Sequence, residues 1–225
     1  MRIGNTEIKP TKIICIGRNY LEHAKEMNSA VPAEPVFFVK TLNSIITDGN
    51  PIIYPRILYE SEEFNRVDHE VELAFIMQKK CKKITSTNAN DYIQGFSIFL
   101  DITARKMQIF DRNKNLPWYR SKNFDTFSVI GPRVIPLNEI NDPHNLNIEL
   151  KIDGVVKQSS NTKYMIFKIP HLIEYLSSFI TLEKGDIIAT GTPSGVGPIH
   201  PGDCIEATIE NIGTITNQVV LEGDG

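Results

Sequence analysis

A chain of 225 residues is long enough to bury a full hydrophobic core without a disulfide or zinc staple. Its 24 basic and 27 acidic residues leave a formal charge of −3, which excludes a global basic field for nucleic acid or an anionic membrane. Any charged substrate must be met locally. Cys15, Cys81 and Cys204 are odd in number and far apart, with no C-x-x-C pair and no histidine at zinc spacing, so a reducing compartment is expected. The polar start, Met1 to Pro10, lacks the apolar stretch of a signal peptide, and no run approaches about 18 apolar residues, so a cytoplasmic protein with no membrane partner is expected.

Short apolar runs rich in β-branched residues predict strands at 13–17, 36–39, 71–77, 96–100, 187–190 and 204–209. Helical periodicity is confined to 20–27, to 102–113 after Asp101, and to 171–179, where Pro170 suits a first helical turn. Between the last two, 146–156 alternates around Asp153-Gly154, a dipeptide that supplies the positive φ angles of a tight hairpin. The chain is therefore predicted to be mixed α/β and β-rich. No Ser/Gly linker, charge block or repeat divides it, and a small N-terminal region, residues 1–60, is set against one β-rich body, residues 61–225.

In His69-Glu-Val-Glu-Leu73 the strand period of two puts Glu70 and Glu72 on one side and Val71 and Leu73 on the other. Two like charges on one strand face repel unless a cation lies between them or water solvates them. Asp101 closes the apolar run Gly95-Phe-Ser-Ile-Phe-Leu100, and three carboxylates at strand ends suit Mg²⁺ or Mn²⁺. A solvated strand face with Asp101 capping a helix explains the same spacing. A zinc protease motif is excluded, because Leu73 stands where H-E-x-x-H needs its second histidine.

Arg105 and Gln108 follow Asp101 on neighbouring helical turns, where Arg105 can pair with the acidic cluster or with a substrate carboxylate. Lys122 lies in an aromatic-rich loop, Trp118 to Asp125. The segment Thr190-Gly-Thr-Pro-Ser-Gly-Val-Gly-Pro198 is too glycine-dense for strand or helix; such a turn can aim backbone N–H groups and the Thr192 hydroxyl at a carboxylate, and it matches neither nucleotide-binding glycine motif. His23 and Glu26, three residues apart, stack if helical, and a carboxylate beside an imidazole raises its basicity. Spacing alone does not separate such a pair from an ordinary surface contact.

Taken together, Gly17-Arg-Asn-Tyr-Leu-Glu-His-Ala-Lys-Glu-Met27, His69-Glu-Val-Glu-Leu73, Asp101-Ile-Thr-Ala-Arg-Lys-Met-Gln108, Pro117-Trp118 with Lys122, and Thr190 to Pro198 resemble the fumarylacetoacetate hydrolase family. The likeness runs from Ile13 to about Val220 and is nearest to the acylpyruvase and oxaloacetate decarboxylase branch. It implies a β-roll of mixed sheets with few short helices, usually a homodimer. It further implies that Glu70, Glu72 and Asp101 bind Mg²⁺ or Mn²⁺, and that His23 and Glu26 form a catalytic dyad on a lid. Lys122 would complete the catalytic set, with Arg18, Arg105, Gln108 and Thr192 holding the substrate. Tyr119-Arg-Ser121 and Ser194 depart from the acylpyruvase pattern, which has Thr-Leu-Ala and Lys there.

The implied activity is hydrolysis of the C–C bond of acylpyruvates to pyruvate and a carboxylic acid, with decarboxylation of oxaloacetate as a companion. An isomerase or decarboxylase of 2-hydroxyhepta-2,4-diene-1,7-dioate-type diacids is the alternative enzyme. A non-catalytic, metal-dependent binder of small oxo acids is the alternative of another class. The small 2-oxo acid is the expected partner in each case.

Overall fold

The computed structural model describes residues 1–26 and 30–224. Its frame is a seven-stranded sheet in the spatial order Val36–Lys40, Ile13–Gly17, Ile187–Ala189, Val71–Met77, Ile93–Asp101, Ser128–Pro136 and Ile45–Thr47. A five-stranded sheet runs Val155–Asn161, Asn147–Ile152, Cys204–Ile209, Gly213–Leu221 and Ile52–Tyr54. Both sheets are mixed: Ile187–Ala189 runs parallel to Ile13–Gly17, Ser128–Pro136 to Ile45–Thr47, and Gly213–Leu221 to Ile52–Tyr54, while the other pairs are antiparallel.

The inner strands Ile13–Gly17, Ile187–Ala189, Val71–Met77 and Ile93–Asp101 are buried on both faces, which is why they read as continuous apolar runs rather than alternating ones. One face sends Ile14, Leu73, Phe75, Phe96, Ile98 and Val129 into a core shared with Ile148, Leu150, Ile205 and Ile215 of the smaller sheet. The other face, with Ile13, Cys15, Ala74, Ile76, Phe99 and Ile187, is covered by Ile3 and Ile8 from the N-terminus. The β-rich mixed fold expected from the sequence is present. Strands from residues 1–60 are built into the same two sheets as the remainder, so the hydrogen-bond ladders cross position 60.

The hairpin at Asp153-Gly154 forms with both residues at positive φ, as a tight turn between right-twisted strands requires. The helix expected over 102–113 begins only at Arg105, because Thr103–Ala104 pairs with Val67–Asp68 as a short strand. The helix over 171–179 starts earlier, at Ile169, with Pro170 in its first turn. The helix expected over 20–27 spans Leu21–Glu26, and Met27 lies outside the described residues. Among the described residues no helix is long and apolar enough to cross a membrane.

Candidate active site

Strand register brings the three carboxylates together. Val71 pairs with Leu100 and Glu72 with Phe99, and the Asp101 N–H donates to the Glu70 carbonyl at 2.9 Å, so Asp101 lies beside Glu70 at the end of the ladder. One carboxylate oxygen from each of Glu70, Glu72 and Asp101 falls within 4.8 Å of the others, and all three side chains are buried. A solvated strand face is thereby excluded.

Three buried cations surround this cluster. Lys122 Nζ donates to Glu70 Oε2 at 2.9 Å, Asp101 Oδ2 at 2.6 Å and Thr103 Oγ1 at 2.6 Å. Lys40 Nζ, fully buried, donates to the other Asp101 oxygen at 2.6 Å and to the carbonyls of Phe127 and Ile102 at 2.7 and 3.1 Å. Arg105 spreads its guanidinium over Asp68 at 2.8 Å, Gln108 Oε1 at 2.6 Å and Glu70. Arg105 and Gln108, residue types more often solvent-facing on a helix, are both buried against the acidic strands.

The electrostatics separate the two glutamates. Burial pushes the Glu70 carboxyl up, but Lys122 and Arg105 outweigh it and hold the group well below the usual carboxylate range. Glu72 is raised well above that range by burial first, then by Asp101 and Glu70. Among the described residues its hydrogen-bond donor is the Gly191 N–H, 2.7 Å from Oε2. Gly191 has φ +95°, and a Cβ there would meet Asn19 Cβ at 2.8 Å, so glycine is what lets the loop backbone approach this carboxylate. Burial also works against the charge of Lys122, yet Asp101 and Glu70 raise its pKa, so the ammonium persists inside the protein.

The pocket above the carboxylates is lined by Arg18, His23, Phe38, Gln108, Arg112, Trp118, Lys122 and Thr192. His23 reaches it from the helix Leu21–Glu26, with Nδ1 3.2 Å from Glu26 Oε2. Glu26 is held in turn by the Gly195 N–H at 3.1 Å. Arg18 stacks on Trp118, its guanidinium carbon 5.8 Å from the ring centroid. Arg18, His23, Glu70, Glu72, Asp101, Arg105, Gln108, Lys122 and Thr192 thus line one cavity, and Glu26 backs His23.

Lys40, Asp68, Arg112 and Gln158 also belong to the site and carry no local mark in the sequence. A lysine closing the apolar strand Val36–Lys40 reads as a solvent-facing end, and nothing local marks it as the partner of a residue 61 positions away. The departure at Arg120 has a structural use: it grips the buried Asp111 at 2.6 to 3.0 Å and ties the loop carrying Trp118 and Lys122 to the end of the Arg105–Asn113 helix. Nothing in the structure explains Ser194.

The set fits a divalent cation. Four buried carboxylates, Asp68, Glu70, Glu72 and Asp101, face three buried cations, Lys40, Arg105 and Lys122. Glu72 is the member left without a cationic contact within 4.0 Å among the described residues. An all-oxygen donor set is the preference of Mg²⁺ and Mn²⁺.

The model of the fumarylacetoacetate hydrolase C-terminal family matches residues 12–220. A mitochondrial oxaloacetate decarboxylase of Dictyostelium discoideum is 44% identical over 204 residues, covering 90% of each chain. A mitochondrial oxaloacetate tautomerase of Arabidopsis thaliana is 44% identical over 205 residues, covering 91% of this chain and 89% of its own. Among solved structures, fumarylpyruvate hydrolase of Pseudomonas aeruginosa in complex with Mn²⁺ and pyruvate superposes with a TM-score of 0.88 at 29% identity, over 97% of this chain and 93% of that one.

Proposed function

Because the chain belongs to the fumarylacetoacetate hydrolase family, we propose that it is a Mg²⁺- or Mn²⁺-dependent enzyme of small 2-oxo acids that hydrolyses the C–C bond of acylpyruvates. The observation carrying this reading is the juxtaposition in one pocket of the Glu70, Glu72 and Asp101 cluster with a His23–Glu26 pair. A divalent ion held by the three carboxylates supplies, when bound, the positive charge that makes a pyruvoyl head an electron sink.

The protein's own groups supply the rest. A carboxylate only accepts, so Glu26 fixes His23 as the Nδ1–H tautomer and leaves Nε2 as the acceptor for a proton from water. That water attacks the distal carbonyl of an acylpyruvate, and cleavage releases a carboxylic acid and pyruvate in its enol form. Lys122 keeps its charge beside the reacting head, while Thr192, Gln108 and Arg18 offer polar contacts around it. Arg105 has each of its three nitrogens committed to Asp68, Gln108 or Glu70, so we assign it to holding those groups rather than gripping the substrate.

Oxaloacetate carries the same 2-oxo acid head, and the two relatives named for oxaloacetate support it as a further substrate, one that needs no attacking water. The deciding experiment measures turnover of acetylpyruvate, oxaloacetate and 2-hydroxyhepta-2,4-diene-1,7-dioate, each with Mg²⁺ and with chelator. Metal-dependent pyruvate release from the first two is expected. Turnover of the dienoate alone would replace this reading by the isomerase, and binding without turnover of any would replace it by the oxo-acid binder. The homodimer implied by the resemblance is read from the solution mass.

A further inference from the structure

Behind the pocket wall, one buried glutamine has all four of its hydrogen-bonding positions filled. Gln158, on the strand Val155–Asn161, accepts at Oε1 from His69 Nδ1 at 3.0 Å and from the Val71 N–H at 3.1 Å. Its amide nitrogen donates to Thr192 Oγ1 at 2.8 Å and to the Pro193 carbonyl at 2.9 Å. The orientation is not interchangeable. A backbone N–H can only donate and a carbonyl can only accept, so Val71 and Pro193 fix which end of the amide faces which side.

A single polarity follows across the glutamine. His69 must present Nδ1–H to an oxygen that only accepts, and Thr192 Oγ1 must accept from an amide that only donates. Among the described residues the Thr192 hydroxyl donates to no protein group, and Thr192 lines the pocket. We infer that Gln158 is a positioning residue that sets the polarity of Thr192, occupying an oxygen lone pair so that the hydroxyl proton is offered to a carboxylate of the bound 2-oxo acid. The same strand supports the rest of the loop: at Gly195, with φ +94°, a Cβ would meet the Lys157 carbonyl.

This inference rests on the reading of the pocket as a 2-oxo acid site, and the test separates the two. Binding of pyruvate in the presence of Mn²⁺, and of Mn²⁺ alone, is measured calorimetrically for the intact protein and for Gln158→Met, Gln158→Glu, Thr192→Val, Thr192→Ser and Gln158→Met with Thr192→Val. Gln158→Met and Thr192→Val are each expected to weaken pyruvate about tenfold, the size of one hydrogen bond to a charged group. Mn²⁺ affinity stays unchanged, and Thr192→Ser, which keeps the hydroxyl, binds pyruvate more tightly than Thr192→Val. The double variant is expected to be no weaker than Thr192→Val, because both changes remove one contact. Gln158→Glu keeps the side chain's shape, so it gives a reading if Gln158→Met does not fold. A carboxyl group carries at most one donor where the amide carries two, so it cannot serve both Thr192 and the Pro193 carbonyl, and weakened pyruvate binding is expected. Unchanged pyruvate binding in the folded Gln158 variants beside a weakened Thr192→Val, or additive losses in the double variant, would overturn the inference and leave the functional reading standing. No Mn²⁺-dependent pyruvate binding by the intact protein would overturn both.

Discussion

Glu26 accepts a hydrogen bond from the backbone N–H of Gly195, 3.1 Å from Oε1 and 3.3 Å from Oε2. That contact fastens the short helix bearing His23 to the glycine loop bearing Thr192, and so closes the pocket on one side with the proposed base and on the other with the proposed carboxylate contact. A six-residue helix has little stability of its own, so its place depends on such contacts.

Loss of the base should therefore be separable from loss of the metal. His23→Ala and Glu26→Gln are expected to lower acylpyruvate hydrolysis by about a hundredfold or more, the usual range for general-base removal. Mn²⁺ binding and metal-dependent oxaloacetate turnover should persist in both. Equal loss of the two activities would remove the attacking-water role from His23.

Glu70 and Glu72 should respond in opposite directions when the metal is removed. In chelator, Glu70→Gln leaves Lys122 and Arg105 short of a buried anion and is expected to cost about 3 kcal/mol of stability. Glu72→Gln removes a carboxylate that Asp101 and Glu70 repel, and is expected to leave the metal-free protein as stable as before or more so. Both variants should lose Mn²⁺ binding and activity. Denaturant titrations with and without Mn²⁺ read all of this, and equal destabilisation by the two changes in chelator would contradict the charge assignment.

Arg120→Leu restores the residue type of the acylpyruvase pattern and leaves Asp111, almost fully buried, without the guanidinium that now grips it. A buried acceptor left unpaired costs about 1–3 kcal/mol. A thermal melt at or above that of the parent protein would mean that another donor takes over.

Local patterns revealed whatever depended on local periodicity. The same-side placement of Glu70 and Glu72, the Asp153-Gly154 hairpin and the helix after Lys168 all follow from spacings of two to four residues. The short strand Thr103–Ala104 was not legible, because its partner Val67–Asp68 lies over thirty positions back and only that pairing overrides the helical pattern of 102–113. For the same reason the sequence concealed Lys40 and Gln158: each acquires its role from residues 61 and 34 to 89 positions away, respectively, and a lone Lys or Gln in a strand carries no mark of that. The resemblance to a family supplied the roles, and strand register accounts for why residues so spaced can share one pocket.

Stability should fall as pH is lowered through the histidine range, with His144 as one identifiable source. Its Nε2 lies 3.1 Å from the N–H of Ile169, the first residue of the helix Ile169–Phe179. Since an N–H can only donate, the imidazole must be unprotonated at Nε2 and serves as the helix's N-terminal cap. Burial, and then Lys168, push the His144 pKa below the ordinary imidazole value against a smaller opposing pull from Asp142. The unfolded chain therefore takes up this proton first. The stabilisation is complete above about pH 6.5 and is lost as pH falls through the folded-state value. His69, also lowered by burial, adds a slope of the same sign. His144→Gln offers an amide oxygen that accepts from Ile169 without titrating, so it should retain stability at pH 7.5 and lose less than the parent protein on going to pH 5.5. The difference expected is about 1 kcal/mol, the worth of one hydrogen bond, and denaturant midpoints that fall equally for both proteins would assign the slope to other groups.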